Sequence, residues 1–122
     1  MIMARPQRIT YQRVKGFDLQ GISQALNGLP AKMVTRPGKW GNPFEIKDVA
    51  KRYKLEPQAA HDKAIELHRA WMAGTLEVAL TPGVSPPPVN EIIAELGGHN
   101  LACWCKPGET CHADLLIALA NP

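Results

Sequence analysis

The sequence predicts a small α/β fold in which a short central sheet of about three or four strands has helices on both faces. Short segments rich in β-branched residues alternate along the chain with segments whose apolar residues recur at helical spacing. This alternation is typical of a sheet buried under helices. The chain has 122 residues, of which 45% are hydrophobic, so it can bury a core without disulfide bonds. We therefore expect a single α/β domain over residues 1–122.

The first half of the chain contains two predicted strands and one short helix. Residues 8–14 interleave β-branched and aromatic side chains with polar ones, and residues 32–35 form a shorter candidate strand. Between these strands, residues 21–27 are predicted to form a helix that ends at Gly28. The pattern leaves the order of the strands in the sheet open.

The second half contains the clearest helix, over residues 57–72. Its apolar residues recur near the helical period, Pro57 suits a first turn and Gly74 suits a stop. His61 and His68 share one face of this helix, and their charged neighbours predict that this face is solvated. The other predicted elements are a helix over 48–53, a proline-rich surface loop over 81–88, a helix over 89–96, a strand over 101–105 and a helix over 113–120.

Charge is distributed unevenly along the chain. Residues 1–54 contain eleven Lys or Arg and three acids, whereas residues 55–122 contain three Lys or Arg and eight acids. The basic half could contact the phosphate of a nucleotide or a nucleic acid. The alternative is that the two halves simply form solvated faces of opposite sign.

The sequence favours a cytoplasmic protein. No segment approaches the roughly 18 consecutive apolar residues of a membrane span, and the amino terminus lacks the apolar core of a signal peptide. The three cysteines all fall within nine residues, a pattern that suits a reduced local site better than a framework of disulfides.

The most reactive side chains lie in residues 101–116, where a predicted strand ends in Cys-Trp-Cys and a predicted helix begins with Cys-His-Ala-Asp. Side chains alternate along a strand, so Cys103 and Cys105 are expected on one face and Trp104 on the other. Residues 106–110 supply the turn, with Thr110 as the predicted helix N-cap.

Cys111 is then expected in the first turn of the last helix. Backbone N–H groups and the helix dipole lower the pKa of a thiol at that position. His112 and Asp114 lie in the same turn, so an imidazole and a carboxylate could stand near the sulfur. The candidate catalytic residues are therefore Cys111, His112, Asp114 and Cys105, and this interpretation needs no cofactor.

The same segment could instead bind zinc. Cys103, Cys105, Cys111 and His112 provide the sulfur and nitrogen ligands that zinc favours, with His99 as an alternative to His112. The spacing departs from common structural zinc motifs, because a single residue separates the first two cysteines and the last two ligands are adjacent. A third interpretation places Cys103 and Trp104 simply in the core.

Residues 36–44 form a second conspicuous segment, Arg-Pro-Gly-Lys-Trp-Gly-Asn-Pro-Phe, directly after a predicted strand. Loops on strand ends are favoured places for binding residues. Its glycines permit tight turns and its two cations could hold an anion. The candidate ligand-binding residues are Arg36, Lys39, Trp40, Gly41 and Asn42. Trp40 and Phe44 could alternatively fix the loop to the core.

Three stretches of the chain resemble a protein family. They are Arg-Val-Lys-Gly-Phe at 13–17, the loop at 36–44, and Leu-Ala-Cys-Trp-Cys at 101–105 followed by Cys-His-Ala-Asp-Leu-Leu at 111–116. In these stretches the chain resembles the bacterial and phage family called domain of unknown function 4326, with Phe17 where we expect Trp. The resemblance implies that the loop and the cysteine segment are both features of this family. The family has no established activity that could be transferred to this chain.

Two functions are compatible with these features. The leading expectation is an enzyme that acts on a nucleotide, nucleoside or nucleic-acid base, held by the loop at 36–44 and attacked from the cysteine segment. The alternative is a non-enzymatic, zinc-stabilised module whose basic half binds nucleic acid. If the strands before both segments are parallel neighbours, their carboxyl ends open on the same edge of the sheet. We therefore expect the loop and Cys111 to meet across one pocket.

Overall fold

Three short parallel strands form the centre of the fold. The computed structural model describes residues 5–36 and 38–122, and within these the sheet contains β1 (Arg8–Thr10), β2 (Ala31–Met33) and β3 (Asn100–Cys103). β3 lies between the other two strands and pairs with both in parallel. All three carboxyl ends therefore open on the same edge of the sheet.

Helices pack on this sheet, which confirms the predicted α/β class. They are α1 (Leu19–Asn27), α2 (Ile46–Tyr53), α3 (Pro57–Ala73), α4 (Val89–Leu96) and α5 (His112–Ala120), with a 3-10 turn at Val78–Leu80 that was not predicted. Within the described residues, no helix is both long enough and apolar enough to cross a lipid bilayer.

The strands are shorter than their sequence patterns suggest. β3 has four residues, because Gly98 turns the chain with a φ of 73° just before it and the cysteine turn follows it. A neighbouring strand can pair only along that length. The strand predicted over 8–14 therefore ends at Thr10, and the one predicted over 32–35 lies at Ala31–Met33.

Different helices cover the two faces of the sheet. Leu101 and Cys103 of β3 belong to a core that α4 and α5 complete. Ala102, which lies between them in the strand, packs instead with Ile9 of β1 and Leu19 of α1. This alternation follows from the two-residue period of a strand, and it fixes which face Cys103 points to.

α3 connects a second apolar cluster to the rest of the fold. It lies beside α2, where Val49, Ala60 and Ala64 are buried together, and it also contacts α5. The predicted boundaries of this helix are confirmed, since Pro57 is its first residue and Gly74 ends it with a φ of 74°.

A buried polar cluster ties the amino end of β3 to its neighbours. Asn100 has no exposed surface. Its Nδ2 donates to Ser23 Oγ at 2.7 Å and to Asn27 Oδ1 at 2.8 Å, and its Oδ1 accepts from the backbone N–H of Gln7 at 2.8 Å. The amide is thus fully used in linking β3 to α1 and to the start of β1.

Candidate functional site at the carboxyl edge of the sheet

A pocket of about 120 Å³ opens at the carboxyl edge of the sheet. The loop that follows β2 forms one wall and the segment that follows β3 forms another. Its lining residues are Thr35, Arg36, Asn42 and Phe44 from the loop, Trp104, Cys105 and His112 from the cysteine segment, and Ile46, His61, Ala64 and Ile65 from α2 and α3. The expected meeting of the two segments is confirmed, with Cys105 and His112 rather than Cys111 at the pocket surface.

Three thiols lie together next to this pocket. The sulfurs of Cys103, Cys105 and Cys111 are all within 4.8 Å of one another, and those of Cys103 and Cys111 are 3.1 Å apart. All three cysteines are free, and Cys103 and Cys111 are buried. Cys103 is the last residue of β3 and Cys105 follows two positions later, and the turn over 106–110 returns the chain to place the third cysteine beside them. These three cysteines could hold a metal ion.

The three thiols shift one another's pKa values strongly. Hydrogen bonds from Cys103 and Cys105 hold the pKa of Cys111 far below its usual value, against the opposing effect of burial. Hydrogen bonds with Cys103 and Cys111, together with burial, raise the pKa of Cys105. A hydrogen bond with Cys105 acts to lower the pKa of Cys103, but its contact with Cys111 and its burial outweigh this and raise it to about 11. The three thiols therefore titrate together as one group.

His112 is buried beside the thiols with a fixed orientation. Its Nε2 lies 2.6 Å from the carbonyl oxygen of Val34, and because a carbonyl only accepts, Nε2 carries the proton. Its Nδ1 faces the sulfur of Cys111 at 3.8 Å. His99, the alternative zinc ligand, precedes the opposite end of β3 and contacts the carbonyl oxygen of Gly97. Of the two histidines, His112 is the one beside the cluster, where it contacts Cys111, while the group of atoms within 4.8 Å of one another consists of the three sulfurs.

The start of α5 differs in detail from the prediction. The helix begins at His112, so Cys111 is its N-cap residue and does not lie in the first turn. Thr110, which was predicted to cap the helix, donates its hydroxyl to Asp62 of α3 at 2.9 Å instead. The turn is thus fixed by α3, a neighbour that local sequence does not reveal.

Asp114, the carboxylate predicted to stand near the sulfur of Cys111, lies at the surface. It is exposed and forms an ion pair with Arg8 at 3.2 Å. Burial acts to lower the pKa of Arg8, but attraction to Asp114, then to Cys111 and Cys103, outweighs it and raises that pKa. Arg8 is therefore the charged neighbour of the thiols that the sequence interpretation missed, and its alternation with Ile9 along β1 is the signal that could have found it.

Lys39 and Trp40 do not line this pocket. Lys39 pairs with Glu91 and Glu95 of α4, the latter at 2.6 Å, and faces a separate groove beside the proline-rich segment. Trp40 is buried in the core with Cys103. The alternative that Trp40 fixes the loop to the core is the one observed, because the paired glutamates and the core hold this part of the loop against α4.

Of the other three loop candidates, Arg36 and Asn42 line the pocket, whereas Gly41 lines the groove that Lys39 faces. Arg36 donates from Nη1 to the carbonyl oxygen of Asn42 at 2.7 Å. The buried side chain of Asn42 donates to the Ala64 carbonyl at 3.1 Å and accepts from the Phe44 N–H at 2.9 Å, so it shapes the loop. A Cβ at Gly41 would lie 2.6 Å from the backbone nitrogen of Arg36, which leaves no room for a side chain. Arg36 is the exposed cation among them.

His61 and His68 are buried, so the prediction of a solvated face was wrong. His61 lines the pocket and contacts the Thr110 carbonyl oxygen through Nε2 at 2.6 Å. His68 packs against His112 with ring centroids 5.3 Å apart, and its Nδ1 has no hydrogen-bond partner among the described residues. The charged residues beside them in sequence lie on the other faces of α3, because α5 and the cysteine turn cover this one.

The burial of His68 predicts an acid sensitivity. Burial, followed by repulsion from His112, lowers the pKa of His68 from 6.5 to about 3. Below pH 6.5 the unfolded chain binds a proton there that the folded chain does not, so stability falls as pH falls, by about 1.4 kcal/mol per unit. Between pH 7 and pH 5, the free energy of unfolding measured in urea should fall by about 2 kcal/mol less for His68→Leu than for wild type. If the free energy of unfolding falls equally in the two proteins, the acid sensitivity does not come from the lowered pKa of His68.

The fold and the site define a small α/β protein with a three-thiol cluster beside a pocket at the carboxyl edge of its sheet. It belongs to the family described as Domain of unknown function (DUF4326), whose family model matches residues 24–122. The match includes the loop at 36–44 and the whole cysteine segment, and it begins after residues 13–17. No curated protein and no solved structure matches the chain.

Proposed function

We propose that Cys103, Cys105, Cys111 and His112 bind one zinc ion, and that the adjoining pocket binds a nucleotide, a nucleoside or a nucleic-acid base. The observation that carries the proposal is the group of three sulfurs within 4.8 Å of one another beside an imidazole nitrogen. Thiolates bind zinc at about 2.3 Å in a tetrahedron, which separates neighbouring sulfurs by about 3.8 Å. The sulfurs are thus already grouped at the scale of one ion.

The geometry of His112 supports it as the fourth ligand. A metal-binding histidine usually donates its other ring N–H to a carbonyl or carboxylate, which fixes its orientation and tautomer. His112 makes this contact with Val34 and leaves the Nδ1 lone pair facing the sulfur of Cys111. Three thiolates and one imidazole complete the usual set of a structural zinc site.

Arg8 supports the same proposal through charge. A zinc ion with three thiolates carries one net negative charge, which is costly to bury without a compensating cation. Arg8 lies close enough to Cys111 and Cys103 for their charge to affect its pKa. The guanidinium can therefore offset the charge of the metal centre.

The residues that line the pocket fit a ligand with a flat ring and an anionic group. Trp104 and Phe44 offer aromatic surface, and Thr35 and Asn42 offer polar atoms. Arg36 offers a positive charge, which it shares with Glu45 at 3.7 Å. Ligand pockets typically combine apolar walls with a few polar groups of this kind. Nucleotides and their bases match that combination.

Elemental analysis tests the zinc proposal directly. Protein purified without added metal should contain about one zinc ion per chain, and less than about half an equivalent would argue against the site. Cys103→Ser, Cys111→Ser and His112→Ala should each lose most of the zinc. His99→Ala is the matched control, because it removes a histidine at the other end of β3, and it should retain zinc.

A second candidate function is an enzyme that uses these thiols without a metal on the same class of ligand. The observation that favours it is the contact of the Cys111 sulfur with His112 at 3.8 Å, together with the presence of Cys105 at the pocket. A cysteine next to a histidine is the usual arrangement of an activated thiol. In this case Cys111 would be the thiol activated beside His112, and Cys105 would present sulfur to the ligand.

Alkylation with iodoacetamide separates the two candidates. Bound zinc should protect all three cysteines near neutral pH until a chelator is added. A metal-free enzyme should instead be labelled at once, at Cys105 or Cys111, faster than free cysteine. Labelling that is no faster than free cysteine, with or without chelator, would remove the reason for assigning a reactive thiol.

A further inference from the structure

An exposed aromatic surface continues from the mouth of the pocket, and it is made of Tyr11, Arg13, Phe17 and Trp104. We call it the Trp104 surface. Trp104 is 43% exposed although it also lines the pocket. The Tyr11 ring meets it edge to face with centroids 5.0 Å apart, and Phe17 supports Tyr11 at 4.8 Å. An indole held in this way keeps its orientation while part of its surface stays open to a ligand.

The charge around this surface is positive. The Arg13 guanidinium lies over the Trp104 ring with its carbon 4.8 Å from the centroid. Lys15 is exposed in the same segment, and residues 5–17 contain four cations and no acid. Aromatic rings beside exposed cations such as Arg13 and Lys15 are the features by which proteins bind single-stranded nucleic acid, through base stacking and phosphate contacts.

The size of the pocket restricts what it can hold. Its volume of about 120 Å³ is below the roughly 300–1,000 Å³ of pockets that enclose whole ligands. A ring therefore fits inside while the rest of the ligand extends outside, and the surface next to the mouth is the one that carries Trp104 and Arg13. A ligand that continues over this surface is longer than a mononucleotide.

We infer that the protein binds single-stranded nucleic acid, with one base in the pocket, the next base stacked on Trp104, and phosphates near Arg13 and Lys15. This inference rests on the proposed ligand class of the pocket and extends it from a free nucleotide to a polymer. Bases in a duplex are stacked and paired, so neither the pocket nor the indole could receive them without strand opening.

Fluorescence anisotropy with a labelled single-stranded oligonucleotide of about twelve nucleotides, as DNA and as RNA, tests the inference. Wild type should bind at low salt, at least about tenfold more tightly than it binds the duplex of the same sequence. Trp104→Ala should weaken binding by about tenfold, whereas Trp104→Phe should retain most of it. Arg13→Ala should reduce the slope of log affinity against log salt by about 0.7. Lys51→Ala, an exposed cation on α2, is the matched control and should change binding less.

Trp104 also reports on binding directly. Trp40 and Trp71 are 8% and 5% exposed, so quenching of tryptophan fluorescence by iodide should come mainly from Trp104. A saturating oligonucleotide should protect that fluorescence from quenching.

If mononucleotides protect it and the oligonucleotide binds no more tightly than they do, the polymer inference is overturned while the proposed pocket ligand stands. If neither binds, both are overturned, and the zinc content remains a separate result. A wild-type dimer that Trp104→Ala converts to a monomer, without oligonucleotide binding, would make the surface a self-association interface and overturn the inference.

Discussion

Removal of the proposed zinc ion by a chelator is expected to lower the midpoint of thermal unfolding by about 10–20 °C. Only the folded chain brings the ends of β3 and α5 together, so an ion bound there stabilises the native state alone. Free zinc at a thousand times its dissociation constant contributes about 4 kcal/mol, which corresponds to a shift of this size in a domain of about this length. Circular dichroism melts with and without chelator measure the shift, and added zinc should reverse it.

The cysteine variants serve as the control for this expectation. Cys105→Ser and Cys111→Ser should melt near the temperature of the chelated wild type, and the chelator should have little further effect on them. A wild-type protein that loses its zinc yet melts unchanged would show that the ion does not link β3 to α5.

Asn100→Ala is expected to destabilise the fold by about 2–4 kcal/mol. The substitution removes the amide that bonds Ser23, Asn27 and Gln7, and among these partners Ser23 is fully buried at the amino end of β3. Each buried polar group that loses its partner costs about 1–3 kcal/mol, and the shorter side chain also leaves a void. Urea unfolding at neutral pH, analysed for the free energy of unfolding, measures the loss.

Asn90→Ala provides the comparison, because Asn90 is exposed on α4. It should change the free energy of unfolding by about 0.5 kcal/mol or less. A loss at Asn100 no larger than that at Asn90 would mean that water replaces the buried bonds, and it would contradict the account of the cluster.

Local pattern was sufficient to predict most elements and the place of the site. The period of α3, with Pro57 and Gly74 at its ends, identified that helix from the sequence alone. Strand alternation predicted that Cys103 and Cys105 share a face, and the parallel-edge argument placed the loop and the cysteine segment around one pocket. These features depend on residues close together in the chain or on the general geometry of parallel sheets.

The side chains whose surroundings the sequence did not predict depend on distant partners. Lys39 was expected to hold a ligand, but glutamates on α4 pair with it. Asp114 was expected beside the thiol, but Arg8 of β1 pairs with it on the surface. His68 has charged neighbours in sequence, yet α5 buries it. In each case the decisive contact is more than forty residues away along the chain.

X-ray diffraction recorded at the zinc absorption edge, from crystals of the protein as purified, tests the central claim most directly. The account predicts one anomalous peak per chain, with the sulfurs of Cys103, Cys105 and Cys111 at about 2.3 Å and Nδ1 of His112 at about 2.0–2.1 Å. The Nε2 of His112 should still contact the carbonyl oxygen of Val34. Crystals that show no anomalous peak between these residues, with the three thiols free or two of them joined in a disulfide, would contradict it.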